Sequence, residues 1–180
     1  MLTESIRRQT DEQIIDATLT LLQSQTYDQL AVTEITRVAG VSRMAFYRHF
    51  GTKEAVIKTF ITQLTEDFSQ EVAALPLESE LIAEAFFGFI QSNGTAIAVL
   101  LNSGLREQFY PALRDILHGI YTDYLRSKAT NAMSIDYVSD FIASGMLALA
   151  IRWIATGLHE SVAEMTQIAA DMTAAQQATL

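Results

Sequence analysis

Val32-Thr33-Glu34-Ile35-Thr36-Arg37-Val38-Ala39-Gly40-Val41-Ser42-Arg43-Met44-Ala45-Phe46-Tyr47-Arg48-His49-Phe50 decides how this chain reads. Val32, Ile35 and Val38 recur at helical spacing, which predicts a short helix over Val32–Ala39 with that face inward. Gly40 ends it, because glycine accepts the left-handed backbone a helix end requires. Ser42 suits the N-cap of a second short helix, through about Phe50. Two short helices around a glycine-containing turn form a helix-turn-helix, and the second is small enough to lie in a major groove. At 100° per residue, Phe46, His49 and Phe50 share one arc, while Arg43, Met44, Tyr47 and Arg48 share another. The first arc is expected to pack on the preceding helix and the second to face DNA. Arg grips guanine O6 and N7 with two bonds, Tyr donates to phosphate, and Met touches a thymine methyl.

Outward from this stretch the sequence reads as helices nearly throughout. Ile14, Ala17 and Leu21 mark one face of a first helix, starting between Ser5 and Thr10. Thr52 can cap a fourth helix reaching about Ala74, and Leu75-Pro76 then breaks the chain. Two apolar helices are expected next, at about 78–92 and 95–102, with Asn93 and Asn102 as caps. Pro111 suits the first turn of another helix, to about Lys128. Ile135–Thr156 reads as a long helix, and Ser161 can cap a last one ending near Ala175, with a frayed tail behind it. The expected class is all-α: a three-helix helix-turn-helix domain over 1–51, then a helical-bundle ligand-binding and dimerisation domain over 52–180.

Charge divides along the chain. Residues 1–60 hold seven basic and seven acidic residues, whereas 61–180 hold five basic and fourteen acidic, which is the whole net charge of −9. Between Ile35 and Lys53 stand four basic residues and no acid. An acidic protein thus carries a local basic patch, and local charge decides phosphate contact. The absence of Cys excludes a disulfide framework and a cysteine nucleophile. No two His sit at metal-ligand spacing, so no metal site and no cofactor are expected. No constellation for an enzyme is visible. The 21-residue uncharged run Ala85–Leu105 is interrupted by Gln91-Ser92-Asn93-Gly94-Thr95, groups costly in hydrocarbon, so a soluble cytoplasmic protein is expected, off the membrane. The hydrophobic fraction of 49% then asks for a large buried interface.

With these residues in place, Gln13–Lys58 resembles the DNA-binding domain of the TetR family of transcriptional regulators. The resemblance is carried by Ile15, Ala17, Ile35, Ala39-Gly40-Val41-Ser42-Arg43, Phe46-Tyr47-Arg48-His49-Phe50 and Lys53-Glu54. It implies that Tyr47 and Lys53 hold phosphates, that Arg43, Met44 and Ala45 lie over base edges, and that His49 sits beside the backbone. Ala31 stands where the family has a capping, phosphate-binding Thr, a role that Thr33 can take in part. Ala45 lacks the hydroxyl or glycine common at its place. The candidate DNA-binding set is Thr33, Ser42, Arg43, Met44, Ala45, Tyr47, Arg48, His49 and Lys53. His49 is open to core packing as well, and Arg7 and Arg8 either reach DNA or keep the helix end soluble. Farther on, Phe89-Ile90-Gln91-Ser92-Asn93, Leu100-Leu101, Phe109 and Trp153-Ile154-Ala155-Thr156-Gly157 resemble a subgroup that includes regulators of dihydroxyacetone kinase genes.

The resemblance implies a homodimeric repressor on a near-palindromic double-stranded operator, released by an effector. The alternative is a helical-bundle interaction protein, or an activator working through a protein coactivator, without a small-molecule ligand. Phe86, Phe89, Tyr121 and Trp153 are the candidate effector pocket, with plain core as the competing role; His118 and Tyr124 could add polar groups. The acidic C-terminal region and these aromatic rings favour a neutral or cationic, largely apolar effector. Ile135–Thr156 is apolar nearly all round and must be buried on two sides. Its Ile142, Met146 and Leu149, with Met165, Ile168 and Met172 of the last helix, are the candidate dimer interface.

Overall fold

The computed structural model describes residues 2–128 and 134–177, and the side chains of 4–128 and 134–173. Among the described residues every regular element is a helix: α1 Leu2–Leu22, α2 Val32–Ala39, α3 Arg43–His49, α4 Lys53–Ala73, α5 Ser79–Asn102, α6 Arg106–Lys128, α7 Ile135–Ala155 and α8 Val162–Gln177. The chain divides into two compact units. One comprises Met1–Leu64 with Val99–Phe109, and the other Thr65–Ala98 with Tyr110–Leu180. The first therefore takes in the opening turns of α4 and the α5–α6 junction, beyond a boundary drawn at residue 51.

The first unit is built on α1, α2 and α3, each packed against the other two. Ile14, Ile35 and Phe46, one from each helix, are wholly buried. Burying three such side chains contributes on the order of 5–9 kcal/mol against leaving them in water. Gly40 has φ 68° and closes α2 by donating its N–H to Thr36 O, as the left-handed cap requires. Val38 does not turn inward with Ile35: it is 40% exposed, because an eight-residue helix wedged between α1 and α3 buries only a narrow stripe. The backbone N–H of Tyr27, in the α1–α2 connection, donates to Ser103 O at 2.9 Å, tying the α5–α6 turn to this unit.

Three helix boundaries differ from those read in the sequence. α1 begins at Leu2, several residues before Ser5–Thr10, and Arg8 pairs with Glu12 one turn on at 3.1 Å. The expected break at 91–95 does not occur, and α5 runs unbroken. Its polar residues are accommodated within the helix: Gln91 and Ser92 are exposed, and Asn93 Nδ2 donates to Phe89 O at 3.0 Å. At Gly94 a Cβ would stand 2.8 Å from Leu158 Cδ1, so the leucine side chain packs directly on the glycine and would have to shift for any larger residue. α6 starts at Arg106, so Pro111 lies inside it rather than in its first turn. The Leu105 carbonyl accepts from the N–H groups of Gln108 and Phe109, and this starts the helix five residues earlier.

The second unit has an aromatic centre. Phe68 packs on Phe89 and Phe86 at centroid distances of 4.9 and 5.9 Å. Phe86 meets Phe87 at 5.2 Å, and Phe87 meets Trp153 edge-on at 5.9 Å. α8 starts with a reciprocal cap, in which Ser161 Oγ accepts from the Glu164 N–H while Glu164 accepts from the Ser161 N–H and hydroxyl. These bonds hold the Glu164 carboxyl below its usual range. α7 packs on α8, and Ile142, Met146 and Met165 are buried inside their own chain. The large apolar α7 side chains that look outward are Tyr137, 81% exposed, and Phe141, 59% exposed, with the charged Asp136, Asp140 and Arg152 also exposed. Of the six residues read as a dimer interface, Ile168 and Met172 face solvent, Leu149 is half-buried and the other three serve the protomer core. The sequence did not separate the two sides of α7, because both carry large apolar side chains.

Ile142→Arg is accordingly expected to unfold the protomer, since an unpaired charge would enter its own core. Urea denaturation followed by far-UV circular dichroism should show a midpoint far below wild type or no folded baseline. A folded, monomeric variant would contradict this placement.

Candidate nucleic-acid interface

α3 is seven residues long, too short to persist alone, and is held by its cap and one aromatic anchor. Ser42 is in extended geometry and its hydroxyl accepts from the Ala45 N–H at 3.0 Å. Phe46 is wholly buried and packs edge-on against Tyr47, with Phe50 at 6.4 Å beyond it. With Phe46 inward, the opposite side of the helix is forced outward. Met44 is 78% exposed, Tyr47 is 49% exposed, and Arg43 and Arg48 lie open to solvent beside them. The arc read as DNA-facing is thus one contiguous exposed surface.

His49 belongs to the inner arc. Its side chain is 8% exposed, and its Nδ1 lies 2.7 Å from Asp11 Oδ1 of α1. A carboxylate only accepts, so Nδ1 donates and the ring is a tie between α3 and α1. Asp11 was not singled out from sequence; its only signal was an acid on the polar side of α1, 38 residues from its partner.

Lys53, at the start of α4, is turned back into the unit. Its Nζ donates to Tyr27 O at 2.8 Å and Leu30 O at 2.9 Å, with Asp28 O at 3.5 Å. The same ammonium stands 4.5 Å from the centroid of the Tyr27 ring, a cation–π contact. Burial, with Glu54 and Asp28 nearby, pushes the Tyr27 hydroxyl above the ordinary phenol range. Lys53 therefore holds the α1–α2 connection in the structure, a role the sequence reading had not assigned to it. Thr52 caps α4 by accepting from the Ala55 N–H at 3.1 Å. At the head of α2, Ala31 makes no side-chain cap bond, and Thr33 lies exposed with its carbonyl accepting from the Thr36 hydroxyl.

The residues read as an effector pocket lie in the second unit. Phe86, Phe89, Tyr121 and Trp153 are all buried. Burial pushes the Tyr121 hydroxyl above the ordinary phenol range, a hydrogen bond with Ser79 offsetting part of that, and its ring meets Tyr124 at 6.3 Å. Trp153 borders a cleft of about 190 Å³ whose wall also includes Arg152, Glu160 and Met165. His118 is half-buried.

With this geometry in hand, comparison with known proteins is informative. Residues 14–59 match bacterial regulatory proteins of the tetR family, and residues 78–174 match the transcriptional regulator C-terminal region of that family. The chain belongs to the TetR family of transcriptional regulators. An uncharacterised helix-turn-helix regulator of Haemophilus influenzae is 24% identical over 177 residues, covering 91% of this chain and 85% of that protein. The A-factor receptor protein of Streptomyces griseus is 32% identical over 81 residues, and this chain spans 29% of its length. In fold, a TetR regulator from Streptococcus agalactiae superposes with a TM-score of 0.76 at 21% identity, covering 96% and 98% of the two chains. The dihydroxyacetone kinase operon activator DhaS superposes with a TM-score of 0.67 at 16% identity, covering 95% and 97%. The protein is a DNA-binding transcriptional regulator and not an enzyme. Regulators of its family bind DNA and dimerise.

The cap on α3 can be tested directly. Ser42→Ala is expected to lower the stability of the protein by about 1 kcal/mol, because the Ala45 N–H loses its acceptor at a terminus with no other side-chain cap. Thermal denaturation read by circular dichroism measures it. A variant as stable as wild type would show that the hydroxyl does not hold α3.

Proposed function

We propose that this regulator works as a homodimeric repressor, each protomer laying α3 in a major groove of a near-palindromic operator, and that an effector releases it. The observation that carries the reading is the exposed arc of Arg43, Met44, Tyr47 and Arg48, opposite the buried Phe46. Arg43 and Met44, at the start of α3, read base edges, and Tyr47 and Arg48 hold the backbone. Ser42, Ala45 and Thr33 complete the contact surface. His49 and Lys53 act on DNA through the elements they tie, α1 to α3 and the α1–α2 connection to α4. The cytoplasm is the compartment in which such a protein meets its DNA.

Dimerisation is supported by the outward strip of Tyr137 and Phe141 on α7, with Ile168 and Met172 on α8. Side chains of this size standing together in solvent mark an interaction surface. A second copy presenting the same strip buries both at once. Gly145 and Ala148, exposed on α7, permit close approach.

The effector is read as neutral or cationic and largely apolar, because residues 61–180 carry a net charge of −9 around aromatic walls. Phe86, Phe89, Tyr121 and Trp153 are the proposed walls. An effector that binds the spread dimer better lowers operator affinity by that difference in binding free energy. One observation favours a second reading. Phe68, Phe86 and Phe89 fill their space with one another, which suits a bundle that answers to a protein coactivator and not to a small molecule.

Base reading is tested with Arg43→Ala, on a duplex selected from random sequence by the wild-type protein and on a scrambled control. A loss of about 1–3 kcal/mol on the selected duplex alone is expected, read by fluorescence anisotropy. Equal losses on both would remove base reading from Arg43. Assembly is tested with Phe141→Arg, which is expected to stay folded yet scatter light as a single 19.9 kDa chain, while wild type scatters at about twice that mass. A wild-type monomer at micromolar concentration, or an unchanged dimer in the variant, would refute the strip as the interface.

A further inference from the structure

Within the first unit a cleft of about 370 Å³ opens between the start of α1 and the end of α3. It is lined by Ile6, Arg7, Thr10, Arg48 and His49. We propose that this cleft takes a phosphate of the DNA backbone, gripped between Arg7 of α1 and Arg48 of α3, beyond the stretch whose bases α3 reads. The inference rests on the DNA-binding reading above and adds to it a contact from a helix outside the helix-turn-helix.

Three observations converge. The first is charge. Two guanidiniums face one concavity, and among the described residues neither has an ion-pair partner. Two unneutralised guanidiniums held near each other repel, and an anion between them relieves that repulsion. The guanidinium fork also matches phosphate oxygens two at a time.

The second is the contrast with the next residue. Arg8 is spent on Glu12, at 3.1 Å along α1, and does not line the cleft. Arg7 and Arg8 differ by one position and carry the same charge, yet only Arg7 is turned to the cleft with its guanidinium free. The third is rigidity. Asp11 lies one turn from Arg7 on α1, and His49 is adjacent to Arg48 on α3. The Asp11–His49 bond at 2.7 Å therefore fixes the two helices at the point where the arginines project. That tie presets the cleft before DNA arrives, which lessens the ordering cost of the contact. Among the described residues no acid lines the cleft, and the Asp11 carboxylate beside it is held by His49. Thr10 keeps its hydroxyl proton on Ile6 O at 3.0 Å and offers no donor to an anion, so the grip falls to the arginines.

Arg48 lies on the exposed DNA-facing arc of α3, so the cleft is continuous with that surface. A phosphate held there is one of the duplex backbone, adjoining the groove in which α3 sits. Free phosphate or a nucleotide offers the same oxygens, and the test separates the two sources.

The full chain is measured as wild type, Arg7→Gln and Arg8→Gln on the selected and scrambled duplexes across a salt series. For Arg7→Gln the affinity is expected to fall about tenfold on both duplexes, and the slope of log K against log salt to lessen by roughly 0.9 for each protomer. Arg8→Gln is expected to leave both within about twofold of wild type. An unchanged slope in Arg7→Gln, with wild type still binding, overturns this inference alone, and so does an Arg8→Gln effect as large as that of Arg7→Gln. Wild type binding neither duplex overturns the DNA-binding reading and this inference with it. Inorganic phosphate is then added at fixed ionic strength. If it displaces the selected duplex from wild type but not from Arg7→Gln, while their salt slopes agree, the cleft is a site for free anions and the duplex assignment falls.

Discussion

A seven-residue helix has no stability of its own, and in this protein the whole exposed face of α3 rests on where Phe46 goes. With its ring at zero exposure among Ile14, Ile35 and their neighbours, α3 can rotate in neither direction without exposing a large aromatic side chain. The orientation of Arg43, Met44, Tyr47 and Arg48 follows from that one burial. Ser42 sets where the helix begins, Gly40 sets the turn before it, and the Asp11–His49 bond sets its distance from α1. The side chains proposed to meet DNA are thus held in place by packing on the inside.

The same economy runs through the connections. Lys53 places one ammonium against three carbonyls of the α1–α2 connection and over the Tyr27 ring. The backbone N–H of Tyr27 in turn donates to Ser103 O at the α5–α6 turn. A connection of nine residues without a helix of its own is thereby anchored at its backbone from two distant parts of the chain. Such anchors involve main-chain groups, so they depend little on the identity of the loop side chains.

In the second unit the aromatic rings and the apolar helices divide two tasks. Phe68, Phe86, Phe87, Phe89 and Trp153 pack on one another in edge-on and tilted pairs, which rigid rings do at low entropic cost. α7 contributes Ile142, Met146 and Trp153 to that core while presenting Tyr137 and Phe141 outside. A helix apolar on two sides is what a chain with 49% hydrophobic residues requires if one side is to be covered by another molecule.

The sequence by itself determined the local structure of the helix-turn-helix. Gly40, Ser42 and Thr52 act on their own backbone within a few residues, and Phe46 and Met44 fall on opposite sides of a single short helix, so spacing along the chain suffices to place them. The α2 boundaries Val32–Ala39 follow from the same local rules. Only the tertiary structure decided the rest. Asp11 meets His49 across 38 residues, and Lys53 finds carbonyls 23 to 26 residues away, contacts that no periodicity encodes. α5 passes through Gln91–Thr95 unbroken, with Leu158 packed on Gly94 and the Asn93 amide bonded to Phe89 O, contacts that a propensity argument does not see. The inward side of α7 holds Ile142 and Met146, and its outward side holds Tyr137 and Phe141, although both sets are large and hydrophobic in the main. Which of them turned inward depended on the shapes packed against them, and shape complementarity exists only once the helices have met.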